Sequence, residues 1–244
     1  MNDKSQELKR YDSRAIKLLA RRHNSPKKLP KYLDAPYLHY RELFNFKKYV
    51  KILEIGAGMG ENTKFLLKQE CEVISTDISL KSVEVMKRQF AIYNCFNARV
   101  GDMEQLAFKN ATFDVVCCAG SLSYGNNIKV MNEIYRVLKT GGVFISVDSL
   151  NHNLIYKINR FIHYLYGDRT KSTLKRMPTV DLINNYGEKF GNIDVKYFGL
   201  ITWTFPLLSK FLSEDLLFKF SNWVDQIFNI KYSAFKFTMI VKKI

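Results

Sequence analysis

Leu53-Glu54-Ile55-Gly56-Ala57-Gly58-Met59-Gly60 is an apolar run that breaks into three alternating glycines. Val50 to Ile55 has the uninterrupted apolar character of a strand buried on both faces, and Asn62 to Gln69 reads as a helix. A strand that passes through glycines into a helix makes a tight turn, where missing side chains let a ligand approach the main chain. By itself this pattern is common to many Rossmann-like folds.

Downstream the same alternation repeats. Strands are expected at Glu72–Thr76, Ala98–Val100, Phe113–Cys118 and Val143–Val147. Helices are expected from Ser79 to about Tyr93 and over Ile128–Leu138, the second stopped by Gly141-Gly142. Upstream, residues 4–22 fit an amphipathic helix with Leu8, Tyr11, Ala15, Leu18 and Leu19 at helical spacing, and Tyr37–Tyr49 fits a second. After Asp148 come a helix over Leu154–Leu165, a helix after Pro178, a strand over Ile193–Phe198 and a last strand over Ala234–Val241. Strands that alternate with helices imply an α/β fold. The reading is a Rossmann-like parallel seven-stranded sheet with a C-terminal antiparallel strand, helices on both faces, and helical N-terminal and C-terminal caps. The expected division is an N-terminal helical cap over 1–49, a core over 50–150, and substrate-cap helices with terminal strands over 151–244.

Three further features separate the nucleotide classes. Asp77 ends the second strand 21 residues after Gly56, where a carboxylate can accept both hydroxyls of a ribose or cap the next helix; Ser79 is itself able to serve as that cap. Gly101-Asp102-Met103 follows the third strand, Phe113-Asp114-Val115-Val116 opens the fourth, and Leu138-Lys139-Thr140-Gly141-Gly142 precedes the fifth. A dinucleotide loop wants a third glycine where this chain has Glu61, and an acidic residue there disfavours a pyrophosphate.

With these motifs in this order, Lys51 to Asp148 resembles the class I S-adenosylmethionine (SAM)-dependent methyltransferases, in particular the type 11 group that includes quinone-biosynthesis and sugar-modifying enzymes. The resemblance implies SAM as cofactor. It implies that Glu54, Gly56, Ala57, Gly58 and Gly60 face the methionine end, as do Ala119 and Gly120. It implies that Asp77 binds ribose with Ile78 beside the adenine, and that Asp102 and Met103 hold the adenine. SAM carries a sulfonium and no phosphate, so Glu61 is compatible with it.

Many members of that group carry a histidine after the fourth strand; here the stretch is Ser121-Leu122-Ser123-Tyr124. Tyr124 is a candidate for the acceptor pocket or a packed aromatic. His152, four residues past Asp148, is a candidate general base or a surface residue at a helix start, and His39 on the N-terminal segment is a second candidate. Arg169, Lys171 and Arg176 lie among hydroxyls in a basic segment that fits either a phosphate grip or a solvated loop.

The 244 residues carry a net charge of +15, shared as +8 over 1–50, 0 over 51–150 and +7 over 151–244. Basic flanks favour anionic partners: a phosphate-bearing or lipid-linked acceptor, a membrane surface at the periphery, or nucleic acid. The four cysteines form no C-x-x-C pair, so no metal site is expected, and a reducing, cytoplasmic setting fits them. The polar start, Met1 to Arg10, predicts no signal peptide, and the longest uncharged run, Tyr197–Ser209, is too short to span a bilayer. An apolar stretch from Leu207 to Phe228 fits a helix packed on the sheet, a lid, or a membrane-surface contact.

Four readings of function follow. The first is methyl transfer to a small molecule, best matched by a sugar hydroxyl in surface-polysaccharide (O-antigen-like) biosynthesis. The second is methyl transfer to a quinone or other lipophilic ring. The third is RNA methylation, against which no Asn-Pro-Pro-Tyr-like motif and no RNA-binding module occur. The fourth is a non-catalytic SAM-fold binding protein.

Overall fold

The computed structural model describes residues 3–20, 30–46, 50–68, 71–166, 170–228 and 230–244, with backbone alone at residues 3 and 18–20. Two helices come first, α1 (Asp3–Ala20) and α2 (Lys31–Glu42). The core follows as β1 (Val50–Ile55), α3 (Thr63–Leu66), β2 (Cys71–Asp77), α4 (Leu80–Gln89), β3 (Phe96–Val100), β4 (Phe113–Ala119), α5 (Asn127–Val137) and β5 (Leu138–Ser149). The last part is α6 (Leu154–Leu165), α7 (Lys171–Lys175), α8 (Val180–Phe190), β6 (Gly191–Phe198), α9 (Phe205–Leu208), α10 (Glu214–Ile227) and β7 (Lys236–Lys243).

The strands form one seven-stranded sheet in the order β3-β2-β1-β4-β5-β7-β6. Strands β1 to β5 run parallel, and β7 is antiparallel to both β5 and β6. The expected fold class is the one found. The order reverses between β1 and β4, and the crevice outside the carboxyl ends at such a switch point is where α/β sheets take ligands. Buried side chains fill both faces: Leu53, Val116, Phe144 and Phe237 on one, Ile52, Cys117, Ile145 and Val147 on the other. Tyr40 of α2 is fully buried in the second layer.

Several boundaries differ from the sequence expectation. Helix α2 starts at Lys31, directly after Pro30, rather than at Tyr37. Strand β5 starts at Leu138 instead of Val143 and runs through Gly141-Gly142, with a register shift against Phe113 and Val115. A side chain at Gly142 would crowd the carbonyls of Lys139 and Asp114, so the glycine pair serves a bulge in β5; the helix before it already ends at Val137 and is not stopped by these glycines. The basic loop after α6 folds into the short α7, capped by Thr170. The stretch 207–228 is broken, because Ser213 accepts a hydrogen bond from the Leu216 amide and starts α10 afresh. On α10, Leu217, Ser221 and Val224 face inward, whereas Leu216, Phe220 and Trp223 are exposed.

Candidate active site

A cleft of about 230 Å³ opens at the carboxyl ends of β1, β2 and β4. Its floor is Gly56, Ala57, Gly58 and Met59, its near wall Asp77 and Ile78, and its far wall Asp102, Met103, Ala119, Gly120, Ser121 and Tyr124. Gly56 and Gly58 sit at φ near +60°, conformations that favour glycine. A Cβ on Gly56 would lie 2.6 Å from the Cβ of Ser121, so the turn after β1 and the loop after β4 meet only because that position is bare.

Strand ends carry the polar groups. Asp77 Oδ2 accepts from the Gly58 amide and Oδ1 from the Ser79 amide, both at 2.9 Å. The carboxylate therefore holds the glycine turn and still presents lone pairs to the cleft. Ser79 Oγ caps α4 by accepting from Ser82, which leaves Asp77 free of that duty. Burial pushes the Asp77 carboxyl above its ordinary range, opposed by those two amides. Asp148, buried at the end of β5, accepts from the amides of Leu122 and Ser149 and so ties the loop after β4 to β5.

Glu54 does not line the cleft. Its buried Oε2 accepts from Thr63 Oγ at 2.6 Å and Ser75 Oγ at 2.7 Å, which bolts β1 to β2 and to the start of α3 beneath the turn. Burial pushes its carboxyl up to about 7. Gly60 also points away, packing on Phe90 and Met86.

The roof is α1, through Lys4, Glu7, Tyr11 and Arg14. Lys4 Nζ lies 2.7 Å from Asp102 and 3.1 Å from Glu104. Arg10 donates to the Tyr124 hydroxyl at 3.3 Å and pairs with Glu7, while the Tyr11 and Tyr124 rings meet edge-on at 5.6 Å. Ser79 Oγ donates to Asp12, and Thr173 of α7 donates to Glu7. The N-terminal helical cap was expected, but Lys4, Glu7, Tyr11 and Arg14 were not named as its lining residues. Their signal was the 4-7-11-14 spacing of polar and aromatic residues along one helical face, which shares Tyr11 with the apolar stripe read from the sequence.

The histidine candidates go elsewhere. His152 Nε2 accepts from the Val180 amide at 2.9 Å, and its ring meets Tyr232 edge-on, so it serves the start of α8 rather than the cleft. His39 Nδ1 lies 2.8 Å from Thr238 Oγ, in a separate cavity bordered by Lys196, Phe198 and Asp225. Burial holds both imidazoles below their ordinary range. Two residues before His39, Tyr37 comes up behind the lining residue Gly120: its hydroxyl lies 3.8 Å from where a Cβ of Gly120 would stand. Lys236 Nζ donates to that hydroxyl at 3.2 Å and to Ser149 Oγ at 3.4 Å. Lys171 and Arg176 lie on α7 and at its end and do not line the cleft, and Arg169 lies outside the described residues.

Glu7, Glu61, Asp77 and Asp102 make the cleft rich in carboxylates. Set against Lys4 and Arg14 in the same lining, these acceptors still leave an excess of negative charge, which suits a ligand with a sulfonium, an ammonium and an adenosine and opposes a pyrophosphate. The sheet order, the glycine turn and this acidic cleft together define the SAM-dependent methyltransferase fold of class I. Residues 53–146 match the family model of a methyltransferase domain, a group whose cofactor is SAM. It is 31% identical to the sterol 4-C-methyltransferase strm-1 of Caenorhabditis elegans over 137 residues, 54% of this chain and 41% of that one. It is 32% identical to the sarcosine/dimethylglycine N-methyltransferase of Aphanothece halophytica over 111 residues, 43% of this chain and 40% of that one. These matches span less than half the length of either relative. The phosphoethanolamine N-methyltransferase 2 of Haemonchus contortus, solved in complex with S-adenosyl-L-methionine, shares the fold at a TM-score of 0.59 and 18% identity over 96% of this chain and 57% of that one.

Proposed function

We propose that this chain transfers the methyl group of SAM to a small-molecule acceptor whose reacting hydroxyl enters past Gly120 and is held by Tyr37. The observation that carries this reading is the Tyr37 hydroxyl across Gly120, fixed from behind by Lys236. Because Lys236 donates to it, the hydroxyl keeps its own hydrogen for a further partner, such as an acceptor oxygen. SAM supplies the activated methyl group, so the protein's share is alignment and exclusion of water. Helix α1 closes the cleft from above, Asp77 and Asp102 hold the adenosine, and Ser121 Oγ donates to the Ile55 carbonyl and fixes the loop beside the transfer path.

We assign the acceptor to the sugar hydroxyls, since the polar trio Tyr37, Ser149 and Lys236 suits an oxygen-rich ligand. A second reading, a lipophilic ring, is favoured by Met103 and Tyr124 in the cleft wall and by the absence of histidine among the described lining residues. Release of S-adenosylhomocysteine, followed against panels of sugars and of quinone-like rings, separates the two. Tyr37→Phe should lower kcat by about tenfold, the worth of one oriented hydrogen bond, and leave SAM affinity unchanged. Full activity in Tyr37→Phe would remove the acceptor role, and intact SAM binding with no turnover on either panel would leave a binding protein.

A further inference from the structure

We propose that α6 and α10 together form a docking face for an anionic lipid bilayer. On α6, Leu154, Ile158, Phe161 and Leu165 are all exposed, Leu154 at 69% and Leu165 at 67%. On α10, Leu216, Phe220, Trp223 and Ile227 are exposed at the same i, i+4, i+7, i+11 spacing. Each set is a straight stripe on one helical face. A folded chain gains by burying such side chains, so two unpartnered stripes of this size mark a contact surface.

One strut joins the two helices. Tyr156 of α6 lies 2.6 Å from Thr202 through its hydroxyl, and Asp225 of α10 accepts from the amides of Gly199 and Leu200 at 2.8 and 3.0 Å. Trp203, 40% exposed, sits on that strut between the stripes, and Tyr232 follows α10 and is exposed beside His152 at the entry to α6. Both helices are thus anchored around the loop that follows the edge strand β6.

Charge selects the occupant. Helix α6 exposes Lys157 and His163 and holds no acidic residue, while its Arg160 is buried and donates to the Leu150 carbonyl. Lys210 and Lys219 flank the α10 stripe, while the acids at its start are engaged by Lys31: Glu214 accepts from the Lys31 amide and Asp215 pairs with its ammonium. A second copy of a chain of net charge +15 would bring like charge to like, whereas an anionic headgroup layer attracts it. Tryptophan and tyrosine beside aliphatic stripes, with lysines at the edge, is the composition that lies in a lipid–water interface. Among the described residues no helix is long and apolar enough to cross a membrane, so the contact is peripheral.

The chain reports on itself, because its two tryptophans, Trp203 and Trp223, both lie on this face. Vesicles of phosphatidylcholine with about 30% phosphatidylglycerol should shift their emission to the blue and carry the full-length chain in flotation, with binding that weakens as salt rises. Phosphatidylcholine alone should bind about tenfold less. The surface variant Phe161→Glu/Phe220→Glu should lose vesicle binding while keeping its melting temperature and SAM affinity. Three results would overturn the proposal: no blue shift with anionic vesicles, equal binding by the variant, or a stable dimer in light scattering that the variant dissociates. Because vesicle binding is read without turnover, it stands or fails apart from the acceptor assignment.

Discussion

Lys4 Nζ in the first turns of α1 lies 2.7 Å from Oδ2 of Asp102 at the end of β3. The same carboxylate forms part of the cleft wall expected to meet the adenine, so the roof is pinned to a cofactor-side group. The pair is partly exposed and screened, and is worth up to about 1 kcal/mol. Lys4→Ala should therefore speed SAM dissociation about fivefold in a trap experiment, with a smaller effect at high salt. An unchanged rate would show that α1 is held by its other contacts alone.

Asp77 combines two duties, holding the amides of Gly58 and Ser79 and facing the cleft. Loss of charge-assisted hydrogen bonds of about 1.5–3 kcal/mol should make Asp77→Ala bind SAM at least about tenfold more weakly in calorimetry. Equal affinity would reduce Asp77 to a brace for the turn.

Glu54 sets a pH dependence of stability. Its carboxyl titrates at about 7 when folded, against an ordinary value of 4.5. Between those values the folded chain holds a proton that the unfolded chain has released, so stability falls as pH rises. The effect is about 3 kcal/mol at most. Thermal melts from pH 4.5 to 8 should show this slope in the parent chain and lose it in Glu54→Gln, whose amide oxygen still accepts from Thr63 and Ser75. Parallel curves for the two proteins would refute the assignment.

His152 supports α8. His152→Ala leaves the Val180 amide without its acceptor and should cost about 1 kcal/mol in denaturant unfolding, with turnover per folded molecule unchanged. Its imidazole is held below the ordinary 6.5, so the contribution is present above that pH and is lost as pH falls through the folded value. A collapse in turnover at unchanged stability would return His152 to the chemistry.

The cleft floor and walls were legible residue by residue because each lies at the end of a strand, where chain direction alone decides exposure. Gly56, Asp77, Asp102 and Gly120 are of this kind. Glu54 was misplaced because alternation along β1 turns it beneath the glycine turn, where hydroxyls nine and twenty-one residues away receive it. His39 and His152 were chosen for chemical type, and packing consumed both.

Period, punctuation and local motif by themselves determined the α/β alternation and the glycine turn, because these depend on residues close together in the chain; the cofactor came through the family resemblance that the motifs carry together. The roof of α1 over the cleft, the meeting of Tyr37 with Lys236 across 199 positions, and the outward face of α10 depended on tertiary structure alone. Such contacts are set by which layer a helix packs against, and a helical stripe carries no label for the surface that covers it.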